Sequence, residues 1–516
     1  MMKFVIVVII LTVINGSLLL SSTNAQKAPY VHHEIYEQLQ NHGDDKDIPV
    51  MIYLHKNANL ESIQFYDTND DNIISRAEKR TQVYQYLKQF TKINQHNVIN
   101  TFAKHSANES IQYTSFWIVN TILVENLNEK LLHELLNDSS SSNDIKKILP
   151  ASHNGLFRIK QIPSLKKSNN HKNKNNDIQW NIEKINANKL WDKGFNGTGV
   201  VVATLDGGVN YQHESLINNY RGTSADGKTF NHDYNWNDWA YKNKVPFDSE
   251  GHGTNVQGIA TSSNGYGVAF GAKWISGKIF NYAGYSATSW TIGGCQWAMC
   301  PSPVNQPGKN ENCSLGADVV SCSWGEDDAT EPYLKKIVSA WEKADMIPVF
   351  AVGNGGPKCG TSVSPSDYQG VVGVGASSQQ DNILDYSSRG PANINGSALI
   401  SSLPYTPLAP SIVAPGYDIQ GPSCNSNDGY KGMSGTSQAA PHVAGAAALL
   451  LSTNLPNLSS KQILQALHDG AEQKDLQDPD GDDSCGGIEW NKFPNYIYGY
   501  GRLDCYNAYT NLIKKN

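Results

Sequence analysis

The first 294 residues contain no cysteine, and all eight cysteines lie between positions 295 and 505. No two of them form a closely spaced CxxC pair, which argues against a zinc site, and none has an obvious local base, which argues against a catalytic thiol. An even number of cysteines in an exported chain favours disulfides, but the sequence does not choose among the many pairings.

The sequence also lacks an excess of one charge sign. Lysine and arginine number 41 against 48 aspartates and glutamates, which gives a net charge of −7, and the basic residues are scattered. Such a surface does not indicate binding to nucleic acid or to an anionic membrane. After the N-terminal apolar run, no segment is long enough to cross a bilayer, so we expect the mature form to have no membrane anchor.

The N-terminus has the layout of a secretory signal peptide over residues 1–25. A lysine at position 3 precedes the apolar run Phe4–Val13, and Ala25 ends a small-residue stretch suited to cleavage. Asn15 and Gly16 interrupt the run, which disfavours a membrane anchor. The sequence therefore predicts a secreted or lumenal protein. Glycosylation sequons are consistent with that route and occur at Asn108, Asn137, Asn196, Asn312, Asn395 and Asn457.

Residues 26–165 predict a small α+β domain. The periodicity predicts, in order, a strand at Ile48–Leu54, a polar helix from Ser75 to about Thr101, a strand at Ser115–Val124 and an amphipathic helix at Asn128–Leu136. The tract 166–177 then contains basic residues and asparagine but no apolar residue before Ile178. We expect this linker to be exposed and to be the place of proteolytic maturation.

Residues 178–516 have the composition of a packed α/β enzyme. Near-continuous apolar runs predict buried strands at Gly199–Leu205, Lys273–Phe280, Asp318–Trp324, Ile347–Val352 and Gly370–Ala376. Helical patterns alternate with them at Ala287–Met299, at Glu331–Asp345 and after Ser437. This order predicts a parallel sheet with helices on both faces, whose ligands bind at the carboxyl ends of the strands.

Three short motifs carry the chemistry. Ser437 stands on a Gly-Thr turn at the start of an alanine-rich helix, where backbone N–H groups and the helix dipole favour an oxyanion. Asp206 ends the first apolar strand, and His252 lies between two glycines. Taken singly, the aspartate is as consistent with a helix cap or a calcium loop, and the histidine with a structural turn. Their combination with a candidate nucleophile predicts a catalytic triad.

These motifs, in the order Asp206-Gly207-Gly208, Gly251–Thr254 and Gly435–His442, resemble the signature blocks of subtilisin-like serine proteases. The resemblance covers about Trp180 to Ala508 and is closest in pattern to bacillopeptidase F-type members. It implies a subtilisin-like α/β fold and a serine endopeptidase acting on protein or peptide substrates. Ser437 would be the nucleophile, His252 the general base and Asp206 its orienting carboxylate.

The resemblance also implies further site residues. Asn354 matches the asparagine of the family's oxyanion hole, whereas we expect His442, one turn beyond Ser437, to be structural. The segment Ser323-Trp324-Gly325 would pair with the substrate backbone. The other residues implied in substrate binding are Lys278, Ile279 and Gly353. Gln438 departs from the family, which usually has methionine beside the nucleophile.

The domain at 26–165 resembles the family's inhibitory propeptide, which implies an intramolecular inhibitor that is removed by cleavage; a separate adhesion domain is the alternative. Acidic residues after Gly325 leave open a kexin-like protease selective for basic residues, although kexins have a second aspartate where this chain has Gly207. A catalytically silent binding protein is a third alternative. No cofactor or metal site is predicted. An EF-hand-like spacing at Asp67, Asn69, Asp71 and Glu78 leaves structural calcium open but not assignable.

Overall fold

A computed structural model describes residues 28–42, 48–68, 73–105, 110–151, 162, 177–306, 308–326, 333–391, 393–394, 397–398, 408–479 and 484–515. The predicted signal peptide and the predicted linker, except Asp177, lie outside these residues. So do Asn69 and Asp71 of the EF-hand-like tract. Within the described part of the chain, no helix combines the length and the apolar character needed to cross a membrane.

The N-terminal domain is an α+β unit, as predicted. Its five-stranded sheet has the order β1-β5-β2-β4-β3, with β1 Tyr30–Val31, β2 Ile48–Leu54, β3 Tyr113–Phe116, β4 Thr121–Leu127 and β5 Ile145–Pro150. The helices are α1 His33–His42, α2 Arg76–Asn94, α3 His96–His105, α4 Glu129–Asn137 and α5 Ser139–Asp144. One face of the sheet packs on these helices and forms the domain's own core.

Two predictions for this domain need correction. The single strand predicted at Ser115–Val124 is a hairpin, because the chain turns at residues 117–120 and Asn120 adopts a left-handed conformation with φ 52°. The turn's apolar residues are buried in a core shared with the following domain. The predicted helix from Ser75 is interrupted at Gln95, whose side chain donates to Asn120 Oδ1 at 3.2 Å. Ser75 itself caps α2 together with Glu78.

The second domain is built on a seven-stranded parallel sheet of order β14-β11-β10-β9-β6-β8-β7. Its strands are β6 Val201–Asp206, β7 Trp236–Asp238, β8 Lys273–Lys278, β9 Val319–Cys322, β10 Ile347–Ala351, β11 Val372–Ser377 and β14 Ile412–Pro415. The five predicted strands are confirmed. The two that the sequence did not reveal, β7 and β14, are only three and four residues long.

Helices cover both faces of this sheet. They are α6 Trp180–Lys184, α7 Asn188–Trp191, α8 His252–Thr261, α9 Thr288–Met299, α10 Tyr333–Lys343, α11 Thr436–Leu451, α12 Ser460–Asp469 and α13 Cys505–Lys515. Successive side chains of one strand point into the cores on opposite faces of the sheet: Val349 packs with α11, whereas Phe350 belongs to the core shared by α10 and the N-terminal domain.

Short hairpins complete the domain: β12 Asn393–Ile394 with β13 Ser397–Ala398, β15 Ile419–Pro422 with β16 Tyr430–Met433, and β17 Ser484–Cys485 with β18 Ile488–Glu489.

Four of the eight cysteines form disulfides, Cys300–Cys313 and Cys359–Cys485. The other four are thiols, at Cys295, Cys322, Cys424 and Cys505. We had expected most of the eight cysteines to form disulfides, and only half of them do. Burial raises the pKa of the Cys295, Cys322 and Cys505 thiols, which makes them poor nucleophiles.

Candidate active site

Ser437 is the second residue of α11, and its side chain lies at the carboxyl end of the parallel sheet. Pro441 stands four residues later inside the helix and has no N–H to donate to the Ser437 carbonyl. That carbonyl accepts instead from Ser323 Oγ at 2.8 Å, while Ser437 Oγ donates to the Ser323 carbonyl at 3.2 Å. This reciprocal pair fixes the nucleophile candidate against the strand-end segment that follows β9.

His252 begins α8 rather than lying in an isolated turn, and Gly251, with φ 89°, is the residue before the helix. The imidazole Nδ1 is 2.9 Å from Asp206 Oδ1 at the end of β6, and both side chains are buried. The helix can approach the strand end closely because residue 253 is glycine: a Cβ there would lie 2.2 Å from the Gly208 carbonyl oxygen. The Asp–His pair predicted from sequence is thus in hydrogen-bond contact.

The charges around His252 favour its protonated form. Burial by itself would lower the pKa of this imidazole, but the charge and hydrogen bond of Asp206 raise it above its ordinary value of 6.5, with help from Glu250 and Asp248. Because Nδ1 faces a carboxylate, the neutral ring carries its proton on Nδ1 and leaves Nε2 as the basic atom. This is the tautomer that a general base needs.

Asn354 follows β10 and is held by the turn that carries the candidate nucleophile. Its Oδ1 accepts from the Thr436 backbone N–H and from Thr436 Oγ1, both at 2.9 Å. These two bonds decide the orientation of the amide and turn Nδ2 toward Gly435. A Cβ at position 435 would lie 3.2 Å from that nitrogen, so glycine keeps the space beside the donor open. The role of this amide in an oxyanion hole, together with the Ser437 backbone N–H, stays a prediction.

The predicted substrate-binding residues fall into two groups. Ser323, Trp324, Gly325 and Gly353 lie beside Ser437 and Asn354, and Trp324 is anchored by a 2.8 Å bond from its indole N–H to the Leu205 carbonyl. Lys278 and Ile279 lie beneath the site, fully buried at the end of β8. Ile279 N–H donates to the Asp206 carbonyl at 2.9 Å, and Lys278 Nζ donates to the Gly207 carbonyl. These contacts brace the Asp206 strand end, and the substrate role expected of the two residues stays a prediction.

Glu250 is a residue of the site that the sequence did not single out. If residue 207 had a Cβ, that atom would lie 3.0 Å from Glu250 Oε1. The Glu250 carboxyl therefore lies against Gly207, the residue after Asp206. Burial is the main reason that its pKa is raised to about 7; Asp206 and Asp248 add to the rise, whereas His252 and Lys278 oppose it. The only signal in the sequence is its position two residues before His252.

His442 and Gln438 are structural in their contacts. His442 is fully buried; its Nδ1 donates to the Gln438 carbonyl at 2.8 Å, and Nε2 accepts from Asn181 at 2.8 Å. Burial lowers the pKa of His442 to about 4, which keeps it neutral. Gln438 Nε2 donates to Asn255 Oδ1 at 3.3 Å. The Gln438 amide therefore ties the helix of the candidate nucleophile to α8 at the position where the family usually has methionine.

Among the described residues, no group of three or more histidine, cysteine or acidic side chains is arranged to hold a metal ion. Glu78 of the EF-hand-like tract accepts hydrogen bonds from Thr68 and Ser75 and caps α2. Calcium therefore remains unassigned.

A family model described as the subtilase family matches residues 197–501, more than half of the chain. The chain belongs to the subtilase family. The matched region contains Asp206, His252, Asn354 and Ser437.

Three relatives illustrate the similarity. Bacillopeptidase F of Bacillus subtilis (strain 168) is 30% identical over 446 residues, which cover 84% of this chain and 28% of the relative. Serine protease AprX of the same organism is 30% identical over 339 residues, 60% of this chain and 66% of the relative. The membrane-bound transcription factor site-1 protease of Homo sapiens is 32% identical over 275 residues, 52% of this chain and 22% of the relative. The chain thus spans less than a third of the first and third relatives. The bacillopeptidase F match is long enough to extend into the N-terminal domain.

Proposed function

We propose that the chain is a serine endopeptidase that is made as an autoinhibited zymogen and exported. The observation that carries the proposal is the buried Asp206–His252 hydrogen bond of 2.9 Å, in a chain of the subtilase family. The helix that His252 begins packs against α11, which carries the candidate serine in its first turn. Ser437 Oγ leaves the Ser323 carbonyl, gives its proton to His252 Nε2 and attacks the scissile carbonyl carbon. Asn354 Nδ2 and the Ser437 N–H stabilise the oxyanion of the tetrahedral intermediate.

The intermediate then collapses in two stages. The imidazolium of His252, stabilised by Asp206, gives its proton to the leaving amine, and an acyl-enzyme on Ser437 remains. Water, deprotonated by His252, attacks this ester and releases the acid product. No metal or organic cofactor takes part in the proposed steps.

The N-terminal domain supports the zymogen part of the proposal. It packs on α9 and α10 through an apolar core that both domains share. Ile162, in the chain that leaves this domain, forms an antiparallel bridge with Ser434, three residues before the nucleophile. A segment that passes so close to Ser437 competes with substrate. The predicted signal peptide and the two disulfides support a secreted or lumenal location.

One observation favours a second candidate, a protease selective for basic residues. Kexins place a second aspartate where this chain has Gly207, and here the Glu250 carboxyl occupies the space that a side chain at position 207 would enter. A carboxylate there would pair with a basic substrate side chain.

A peptide-library digest tests both candidates. The processed protein should cleave internal peptide bonds, and a Ser437→Ala variant should not. Failure of the parent to cleave any peptide would refute the proposal in favour of a silent binding protein. Enrichment of lysine and arginine near the cut that is lost in Glu250→Gln would select the basic-directed candidate; an unchanged profile would reject it.

A further inference from the structure

The longest helix of the N-terminal domain presents a regular row of hydrogen-bond donors to the second domain. Arg76, Arg80, Tyr84 and Lys88 are spaced by four residues on α2 and therefore lie along one side of the helix. We call these four residues the donor stripe. Each of them donates to an acceptor of the second domain, beginning with Arg76, whose Nη1 is 2.6 Å from the Asp345 carbonyl oxygen.

Most of the acceptors belong to one short segment, residues 308–318, which we call the docking loop. Arg80 is buried and donates from Nε to the Cys313 carbonyl at 3.1 Å, and from Nη1 to the Ala317 carbonyl at 3.1 Å and to Asp318 Oδ1 at 3.0 Å. A Cβ on Gly316 would lie 2.9 Å from Arg80 Cδ, so the absence of a side chain there leaves room for the arginine.

Glu311 is the centre of this contact. Its Oε1 accepts from Trp117 Nε1 at 2.9 Å, and its Oε2 accepts from Tyr84 OH at 2.9 Å and from Lys88 Nζ at 3.2 Å. All three donors belong to the N-terminal domain, and the Glu311 side chain is only 5% exposed. Burial, then the charge of Glu311, raises the pKa of Tyr84, as expected for a phenol that donates to a carboxylate. Removal of the N-terminal domain would take away all three donors at once.

The docking loop is held in place independently of the N-terminal domain. The disulfide Cys300–Cys313 ties it to the end of α9, and Arg221 Nη1, which belongs to the second domain, donates to the Leu315 carbonyl at 2.6 Å. A loop that is already held by a disulfide and a hydrogen bond loses little conformational freedom when a partner binds, and this favours affinity. The loop therefore has the construction of a preformed binding site.

We propose that the docking loop, with Glu311 as its anchor, is the affinity-determining site for the N-terminal domain, and that it retains this domain after the connecting chain is cut. The inference rests on the proposed zymogen function and deepens it, because it places control of inhibitor release on the α9 side of the molecule, on residues distinct from the triad. The partner is the chain's own N-terminal domain, recognised through its donor stripe and Trp117.

The test uses the full chain with Ser437→Ala and a recognition sequence for a site-specific protease inserted in the tract 166–177. Retention then does not depend on the chain's own activity, so failure of the proposed peptidase function would not disturb it. After nicking, the two fragments should stay together in size-exclusion chromatography. Glu311→Gln should raise the dissociation constant of the two fragments by at least about 30-fold, because it removes one partner of a buried charged contact. Glu489→Gln, an exposed site outside the interface, is the matched control.

Two results would overturn the proposal: fragments of the parent that separate as soon as the chain is nicked, or a dissociation constant for Glu311→Gln equal to that of the control. If Glu311→Gln does not fold, Tyr84→Phe and Lys88→Met remove its donors from the N-terminal side. Each should then raise the dissociation constant above that of the control, and no rise in either variant would contradict the proposal. If Glu311→Gln does fold, the two substitutions should loosen the complex less in that background than in the parent. Strictly additive effects would contradict an anchor at Glu311.

Discussion

The orientation of Asn354 leads to a quantitative prediction for Asn354→Ala. Both bonds from Thr436 to Oδ1 exist before any substrate binds, so the Nδ2 donor is pre-oriented and needs no rearrangement when the oxyanion forms. Loss of one such donor costs about 2.7–4 kcal/mol of transition-state stabilisation, which is a fall of roughly 10²–10³ in kcat. KM should change little, because the charge that the amide meets exists only in the transition state.

Thr436→Ala is the matched control. It removes the Oγ1 bond to Asn354 and leaves the backbone bond, so about 1 kcal/mol is lost and kcat should fall only about fivefold. Initial rates on a peptide substrate, corrected for the concentration of active sites, measure both variants. The reasoning is refuted if Asn354→Ala keeps kcat within about threefold of the parent, or if its whole loss is a rise in KM.

Two further predictions concern pH. The kcat/KM of the parent should fall as the pH drops through the pKa of His252, which lies above 6.5 because Asp206 outweighs the effect of burial; a rate that stays flat down to about pH 5 would contradict the base assignment. Glu250 has its pKa raised to about 7, so the folded protein holds that proton more tightly than the unfolded chain, and the parent loses stability as the pH rises from about 4.5 to 7. Glu250→Gln, in a Ser437→Ala background, should therefore be more stable than its parent by about 1–2 kcal/mol at pH 8, after allowance for partial exposure, and nearly equal to it at pH 4.5. Urea unfolding at both pH values checks this, and an equal difference at the two would contradict it.

The sequence revealed the parts of the fold whose residues repeat a strong local pattern. The strand that carries Asp206 and the helix after Ser437 are continuous apolar runs, so their ends, and the functional side chains at those ends, could be placed. The hairpin at residues 117–120 could not, because its apolar residues are buried by the second domain and so continue the pattern of a strand.

Contacts between residues that are far apart in the sequence could not be predicted from it either. The sequence placed Lys278 on a buried strand and among the substrate-binding residues, but it could not show that its side chain is buried and donates to the Gly207 carbonyl. Glu250 has no motif of its own and becomes notable only because Gly207 leaves room for its carboxyl. The donor stripe on α2 is visible as a four-residue repeat, but its acceptors are more than 200 residues away along the chain.

The most direct test of the proposed function is covalent labelling of the processed protein with a fluorophosphonate probe, followed by mapping of the modified peptide. We expect a single adduct on Ser437, which is lost in Ser437→Ala and strongly reduced in His252→Ala, and slow labelling while the N-terminal domain is bound. No adduct after removal of that domain, or an adduct on a different serine, would contradict the assignment of Ser437 as the nucleophile.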